Sequence, residues 1–222
     1  APHRVALYSG YHAQRPPMPD PLRWQFEQAP ALVRALGWGV EVSQALEADD
    51  LLGSLALVES AAGGRTLILT GDRDMYQCVD DSVAVLYLRQ GAAGFETVDS
   101  SEVQRRYGIP PALVPDFIAL RGDPSDGLPG APGIGEKTAA QLLRRHGSLD
   151  RAIAGAGGER PRTAAALTQH AGALRSYRQI ALLQGVKLDR PADTATNFAA
   201  GAAAAAALGM GQLAGRLEDA AG

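Results

Sequence analysis

The segment 121–143 constrains the fold most, because it joins two aspartates, a glycine-rich turn and an amphipathic helix predicted to begin at Glu136. Asp123 and Asp126 stand three positions apart, so on a turn both carboxylates can face one hard cation. In the tripeptide Gly133-Ile134-Gly135 the glycines permit positive φ and a close backbone approach, so that N–H groups can face an anion. An ordinary turn before a helix would explain the glycines alone. The paired aspartates and the following Lys137 favour a metal site next to a phosphate-binding turn, with DNA-binding residues Gly133, Ile134, Gly135 and Lys137.

A second pair of carboxylates follows a predicted strand. The run Thr66–Thr70 is short, apolar and bounded by glycines, which is typical of a buried parallel strand. Asp72 and Asp74 come directly after it, and a helix is predicted over 75–79. Ligands in open α/β sheets collect at the carboxyl ends of strands, so both side chains are candidate metal ligands. The alternative is that Asp74 only caps the helix.

A third acidic cluster lies further upstream. Residues 39–43 are predicted to form a strand, and Glu47, Asp49 and Asp50 then precede a helix predicted over 51–59. Acidic residues at a helix N-terminus are ordinary partners of the helix dipole. Three acids in four positions exceed that need, so these residues are also candidate metal ligands.

The three clusters predict a magnesium centre. Carboxylates brought this close repel one another unless cations neutralise them. Their oxygen chemistry suits two Mg²⁺ ions, or Mn²⁺, holding a phosphodiester during in-line attack. Zinc is disfavoured, since the single Cys and the four His have no ligand spacing. The seven candidate ligands are Glu47, Asp49, Asp50, Asp72, Asp74, Asp123 and Asp126.

The motifs resemble those of the bacterial 5′-3′ exonuclease and flap endonuclease family, which includes the nuclease domain often found at the N-terminus of DNA polymerase I. Those that carry the resemblance are Glu-Ala-Asp-Asp, Thr-Gly-Asp-Arg-Asp, Tyr-Gly-Ile-Pro-Pro, Arg-Gly-Asp-Pro-Ser-Asp and Gly-Ile-Gly-Glu-Lys-Thr-Ala, and the match runs from about Arg4 to Arg190. The resemblance implies that the seven acids bind metal. It also implies that residues 133–137 belong to a helix-three-turn-helix element that grips duplex DNA, with K⁺ as a possible bridge to a phosphate.

Two departures from the family pattern concern the front of the chain. Family members begin with strands that end in aspartate, and no such strand precedes the segment 1–15, so the chain resembles a member without its front end. His12 stands where the family usually has a lysine that contacts the scissile phosphate, and histidine is only partly charged near neutral pH. Arg15 matches the family's arginine. The resemblance therefore implies catalytic contacts for His12 and Arg15.

The charge distribution agrees with this interpretation. Residues 1–120 carry a net charge of −6 and residues 121–190 a net charge of +5, within a chain of net charge −3. A basic region of this kind is an electrostatic footprint for a phosphate backbone. We expect an α/β fold: a small, mostly parallel sheet flanked by helices over 1–120, of the PIN-like nuclease type, and a helical lobe over 121–222.

The expected function is structure-specific, Mg²⁺-dependent cleavage of DNA at junctions between single strand and duplex. One alternative is a DNA-junction binding module with weak or no catalysis. Another is a Mg²⁺-dependent phosphatase that uses Asp72 and Asp74, although such an enzyme has no use for the glycine hairpin. A monomer in the cytoplasm, without membrane contact, is expected.

Overall fold

The computed structural model describes residues 1–88 and 94–222, which form two compact units. The first unit consists of residues 1–14 and 44–188, and the second of residues 15–43 and 189–222. Neither unit begins or ends at the division expected near residue 120. The helices are α1 (Pro2–Leu7), α2 (Asp20–Ala35), α3 (Ala48–Ala61), α4 (Ser100–Tyr107), α5 (Val114–Arg121), α6 (Glu136–His146), α7 (Leu149–Ala154), α8 (Pro161–Gln169), α9 (Ala171–Ala181), α10 (Phe198–Ala207) and α11 (Gly211–Ala221). Short 3₁₀ helices span Asp74–Cys78, Pro111–Leu113 and Ala156–Gly158.

The first unit contains a small mixed sheet in the order β1 (Thr66–Thr70), β2 (Val83–Leu88) and β3 (Phe95–Val98). β1 and β2 are parallel, with Ile68 opposite Val85, whereas β2 and β3 are antiparallel, with Val85 opposite Val98. These three side chains are buried in the core, which fixes the register because a slip of one residue would turn them to the other face. The strands that the sequence predicts over 66–70, 83–88 and 95–98, from short apolar and β-branched runs, are confirmed. The hairpin turn predicted around residues 91–94 falls largely within 89–93, which lie outside the described residues.

The strand predicted over residues 39–43 is wrong. These residues belong to the second unit and are not part of a strand. Val42 is 66% exposed, so its apolar character does not reflect burial in a sheet. β1 is therefore the outer strand of the described sheet, and its Leu67 and Leu69 are exposed on one face.

The core of the first unit is centred on α5. Its residues from Val114 to Leu120 are all buried, and the helix packs against both α6 and α9. Helix α5 ends at Gly122, whose φ of 85° turns the chain away from the core. The predicted metal-binding loop with Asp123 starts at this turn, so a rigid buried helix positions it.

Helix α6 begins at the predicted residue, Glu136. Ala139, Ala140, Leu142 and Leu143 are buried on one face, at the 3–4 residue spacing of an amphipathic helix. The helix ends at Gly147, which has the left-handed conformation typical of a glycine cap. The helix predicted over 75–79 is instead the 3₁₀ helix Asp74–Cys78, which starts one residue earlier.

The second unit consists of α2, α10 and α11. Helices α10 and α11 pack through small residues, with Ala202, Ala205 and Ala214 buried. The chain after α2 is joined to the segment before α10, since the backbone N–H of Asn197 donates to the carbonyl of Leu36 at 2.9 Å. The sequence predicts a helix over 22–36, from apolar residues at helical spacing, and an alanine-rich helix from residue 199, and α2 and α10 confirm both.

Candidate metal centre and nucleic-acid clamp

The predicted acidic residues lie on three loops of the first unit. The loops precede α3, follow β1 and follow α5. Burial raises the pKa of Asp74 well above the usual value, and the charges of Asp72, Asp123 and Asp126 raise it further. Carboxylates from two different loops therefore share one electrostatic environment.

Asp49 connects the third loop to this environment. Burial raises the pKa of Asp49 to about 6, with further contributions from the charges of Asp72, Glu47 and Asp50. The donor set consists of oxygen atoms only, and a cation would relieve the repulsion among them, so its chemistry fits Mg²⁺. Among the described residues no three His, Cys, Asp or Glu side chains already converge as a metal-binding group. Binding would therefore require carboxylate side chains to turn toward a common point.

Asp50 has a structural role instead of the predicted metal-binding one. Its side chain is fully buried, and both oxygens accept hydrogen bonds from Arg4: Nη1 donates to Oδ2 at 2.8 Å and Nη2 to Oδ1 at 2.6 Å. Backbone N–H groups of Glu47 and Gln184 also donate to this carboxylate, at 3.1 and 2.8 Å. With both oxygens occupied, Asp50 has no free position to offer a metal ion.

Arg4 was not identified from the sequence. It is only 2% exposed, and its Nε donates to the carbonyl of Ile180 at 2.9 Å. Its Nη1 also lies 3.3 Å from Oε2 of Glu47. No local pattern marks this residue, because its carboxylate partners are more than forty positions away in the chain. The excess of acidic residues before α3 could have indicated a buried basic partner as well as a metal ion.

The loop after α5 holds Asp123 rigidly. Asp123 and Leu128 form an isolated antiparallel bridge, and Oδ1 of Asp123 accepts from the backbone N–H of Ser125 at 2.8 Å. Gly127 has a φ of 76°, and a Cβ added there would lie 2.6 Å from the carbonyl oxygen of Gly10. Only glycine therefore allows this loop to pack so closely against the segment before His12.

His12 and Tyr11 connect two of the acidic loops. Nε2 of His12 lies 2.9 Å from Oδ1 of Asp126, and the backbone N–H of His12 donates to the carbonyl of Asp126 at 3.0 Å. The ring of His12 stacks on that of Tyr11, whose hydroxyl donates to Oε2 of Glu47 at 2.9 Å. His12 also has a φ of 55°, which is unusual for a residue other than glycine. Arg15 is exposed and belongs to the second unit.

The glycine hairpin before α6 has the predicted backbone character. Gly133 has a φ of 77°, and a Cβ added there would lie 3.2 Å from Nε of Arg162. Gly135 is the N-cap of α6 and supplies no side-chain cap. Lys137 is exposed in the first turn of the helix. Ile134, in contrast, is only 4% exposed, so its side chain packs in the core and only its backbone is available to a phosphate.

The fold and the site define a class. The protein has a PIN-like nuclease fold with a SAM-like helical part. The small sheet has acidic residues in its loops, and the helical region contains the glycine hairpin. A T5 5′-exonuclease structure with bound divalent metal ions (zinc) has a TM-score of 0.70, at 16% identity over 98% of this chain and 79% of that one. A bacteriophage T5 flap endonuclease, in a pseudo-enzyme-product complex with DNA and metal ions, has a TM-score of 0.68 at 16% identity, over 97% and 78% of the two chains.

The chain belongs to the 5′-3′ exonuclease family. Residues 1–108 match the model of its N-terminal resolvase-like domain, and residues 109–199 match that of its C-terminal SAM fold. DNA polymerase I of Mycobacterium leprae is 39% identical over 192 residues, which cover 86% of this chain and 21% of that protein. A 5′-3′ exonuclease of Mycobacterium tuberculosis is 45% identical over 146 residues, or 63% and 45% of the two chains. The chain thus spans about a fifth of the polymerase relatives and just under half of the exonuclease. None of the helices in the described part of the chain is long and apolar enough to cross a membrane.

Proposed function

We propose that this chain is a divalent-metal-dependent 5′-3′ exonuclease and flap endonuclease acting on DNA where single strand meets duplex. The match of residues 1–199 to the two domains of the 5′-3′ exonuclease family carries the proposal, and the charges of carboxylates from two loops, which with burial raise the pKa of Asp74, agree with it. In such an environment a bound cation would stabilise the ionised carboxylates, which otherwise repel one another. The glycine hairpin and Lys137 lie in the same unit, so metal site and phosphate contact share one scaffold.

Six of the predicted acids would hold the metal ions in this proposal. Asp72, Asp74, Asp123 and Asp126 form one group, and Glu47 and Asp49 extend it from the head of α3. When bound, two Mg²⁺ ions would neutralise the charge that develops on the attacking and leaving oxygens. Asp50 is left out because Arg4 and two backbone N–H groups occupy its carboxylate.

The remaining residues position the acids and the DNA. His12 holds Oδ1 of Asp126, while Tyr11 holds Oε2 of Glu47 through its hydroxyl. The backbone around Gly133 and Gly135 and the ammonium group of Lys137 would bind phosphates of the duplex without reading base sequence. Arg15 would contact a phosphate of the DNA.

The test is cleavage of a labelled 5′-flap substrate with Mg²⁺ under single-turnover conditions. Asp74→Asn should lower the rate at least a hundredfold while leaving duplex binding intact, because the metal site and the clamp are separate. Asp81→Asn, at an exposed aspartate outside the three loops, is the matched control and should cleave normally. Unchanged cleavage by the Asp74 variant would refute the proposal.

The same assay decides the alternative of a binding module. A chain that binds the flap tightly with Mg²⁺ but never cleaves it would be such a module. Mn²⁺ as a substitute ion, K⁺ at the hairpin, the monomeric state and the cytoplasmic location remain predictions. Each can be measured directly, by metal-dependent cleavage rates, K⁺-dependent binding, sedimentation and cell fractionation.

A further inference from the structure

A cationic cleft lies between the C-terminal end of α4 and the exposed face of α6. Its volume is about 410 Å³. Neither Gly133 nor Gly135 lines it, so it is separate from the glycine hairpin. The residues that line it are Arg105, Arg106, Tyr107, Gly108, Glu136, Lys137, Ala140, Gln141 and Arg144.

Two of the four cations in this cleft are already neutralised. Arg105 and Arg106 both pair with Glu102, and Arg106 also pairs with Glu96. Oη of Tyr76 accepts a further hydrogen bond from Nη1 of Arg106 at 2.9 Å. These arginines therefore form a fixed wall of the cleft, and their charges are balanced.

Lys137 and Arg144 are different, because within the described residues neither forms a hydrogen bond or an ion pair. Against the single charge of Glu136, they leave the cleft with a net charge of about +1. Lys137, Gln141 and Arg144 are spaced by four and three residues, so they share one exposed face of α6. This face is turned toward the cleft.

Gly108 leaves room for the guanidinium group of Arg144. It ends α4 in the left-handed conformation, with a φ of 68°, and a Cβ added there would lie 2.5 Å from Nη1 of Arg144. The guanidinium group therefore lies against bare backbone, a position that a side chain at residue 108 would deny it.

We infer that this cleft is a second phosphate-binding site for duplex DNA, in which Lys137 and Arg144 contact different phosphates of one strand. Seven residues of α-helix rise by about 10 Å, a separation that suits contacts with separate phosphates along a backbone. The inference rests on the proposed function, since it assumes that duplex DNA lies along α6. It extends the track of the DNA from the hairpin to the end of α4.

The test measures binding of a blunt 20-base-pair duplex in EDTA, where no cleavage occurs, as a function of salt. Each phosphate contact contributes about 0.9 to the slope of log K against log salt. Arg144→Gln should therefore lower the slope by about 0.9 and weaken binding roughly eightfold at 0.1 M salt. Arg65→Gln is the matched control, because Arg65 is exposed and lies before β1, and it should leave the slope unchanged.

A second variant keeps the positive charge of Arg144 but moves its guanidinium group. Asparagine tolerates the left-handed conformation, so Gly108→Asn should retain the end of α4 while displacing the guanidinium of Arg144. We expect Gly108→Asn to reduce the slope as Arg144→Gln does, and the double variant to add little further.

The outcomes separate the two proposals. If the unaltered chain does not bind duplex DNA, both the proposed function and this inference are refuted. If it binds, and Arg144→Gln leaves the salt slope unchanged, with or without a lower melting temperature, the second site is refuted.

Discussion

The buried pair of Arg4 and Asp50 predicts a large loss of stability when Arg4 is replaced by methionine. Methionine has a comparable length, so the change removes the charge and its hydrogen bonds with little change in volume. The side chains are 2% and 0% exposed, and Arg4 donates twice to Asp50 and once to the carbonyl of Ile180. Breaking a buried ion pair by removing one partner costs about 3–5 kcal/mol.

The lower part of that range is expected here. The carboxylate of Asp50 keeps two backbone donors, the N–H groups of Glu47 and Gln184, which partly compensate the charge left behind. We therefore expect a loss of about 3–4 kcal/mol at pH 7. Natural domains have only about 5–15 kcal/mol of stability, so much of the margin would disappear.

The dependence on pH should reverse in the variant. Burial raises the pKa of Asp50, but the hydrogen bond from Arg4 and those from backbone N–H groups outweigh it and hold the pKa below the usual value. In the unaltered chain this contribution to stability is present above the unfolded pKa and is lost as pH falls. Without Arg4, burial should dominate and raise the pKa, so the cost of the substitution should grow from pH 4 to pH 7.

Urea unfolding followed by far-ultraviolet circular dichroism is the appropriate assay, because both tryptophans lie in the second unit and would not report on this pair. Arg65→Met, at an exposed arginine, is the control and should cost little. Adding Asp50→Asn to the Arg4 variant should restore part of the stability, since it removes the stranded charge. A loss below about 1 kcal/mol at pH 7, or an equal loss at both pH values, would refute this account.

Three further changes have definite expected outcomes. Because the pKa of Asp49 is raised to about 6, Mg²⁺ binding should release a proton and weaken up to about tenfold per pH unit below pH 6; titration calorimetry should find no such release in Asp49→Asn. Gly127→Ala should cost about 2 kcal/mol or more, because its φ is positive and the new Cβ would meet a backbone oxygen, whereas Gly157→Ala, with open space around it, should unfold normally in urea. Ser148→Ala should cost about 1 kcal/mol in thermal unfolding, because Ser148 caps α7 by accepting from the backbone N–H of Arg151, and no loss would show that the cap is dispensable.

The sequence was sufficient where the determinants are local. The strands β1, β2 and β3 and the start of α6 follow from short apolar runs and from the glycines that bound them, and the structure has them at the predicted residues. The pattern at residues 39–43 failed because alternating valines indicate a strand only when another strand lies beside them.

Contacts between side chains that are far apart in the chain could not be predicted from the sequence. Asp50 looks like its neighbour Asp49 in the printed chain, yet one is held by Arg4 while the other stays close to Asp72. The difference arises because Arg4 of α1 reaches Asp50 across 46 positions of the chain, a contact that no local pattern encodes. Tyr11 was missed for the same reason, since its contact with Glu47 spans 36 positions.

The contacts of Arg4 also bear on the order in which the molecule folds. Its hydrogen bond to Ile180 spans 176 positions, and nearby the backbone N–H groups of Gln184 and Val186 donate to Asp50 and to Ser54 of α3. Closing so long a loop is entropically unfavourable and slow compared with forming helices or the β2–β3 pair. During synthesis these contacts of α1 and α3 can therefore form only after residue 186 has left the ribosome. The acidic loop at the head of α3 should be among the last parts of the first unit to become ordered.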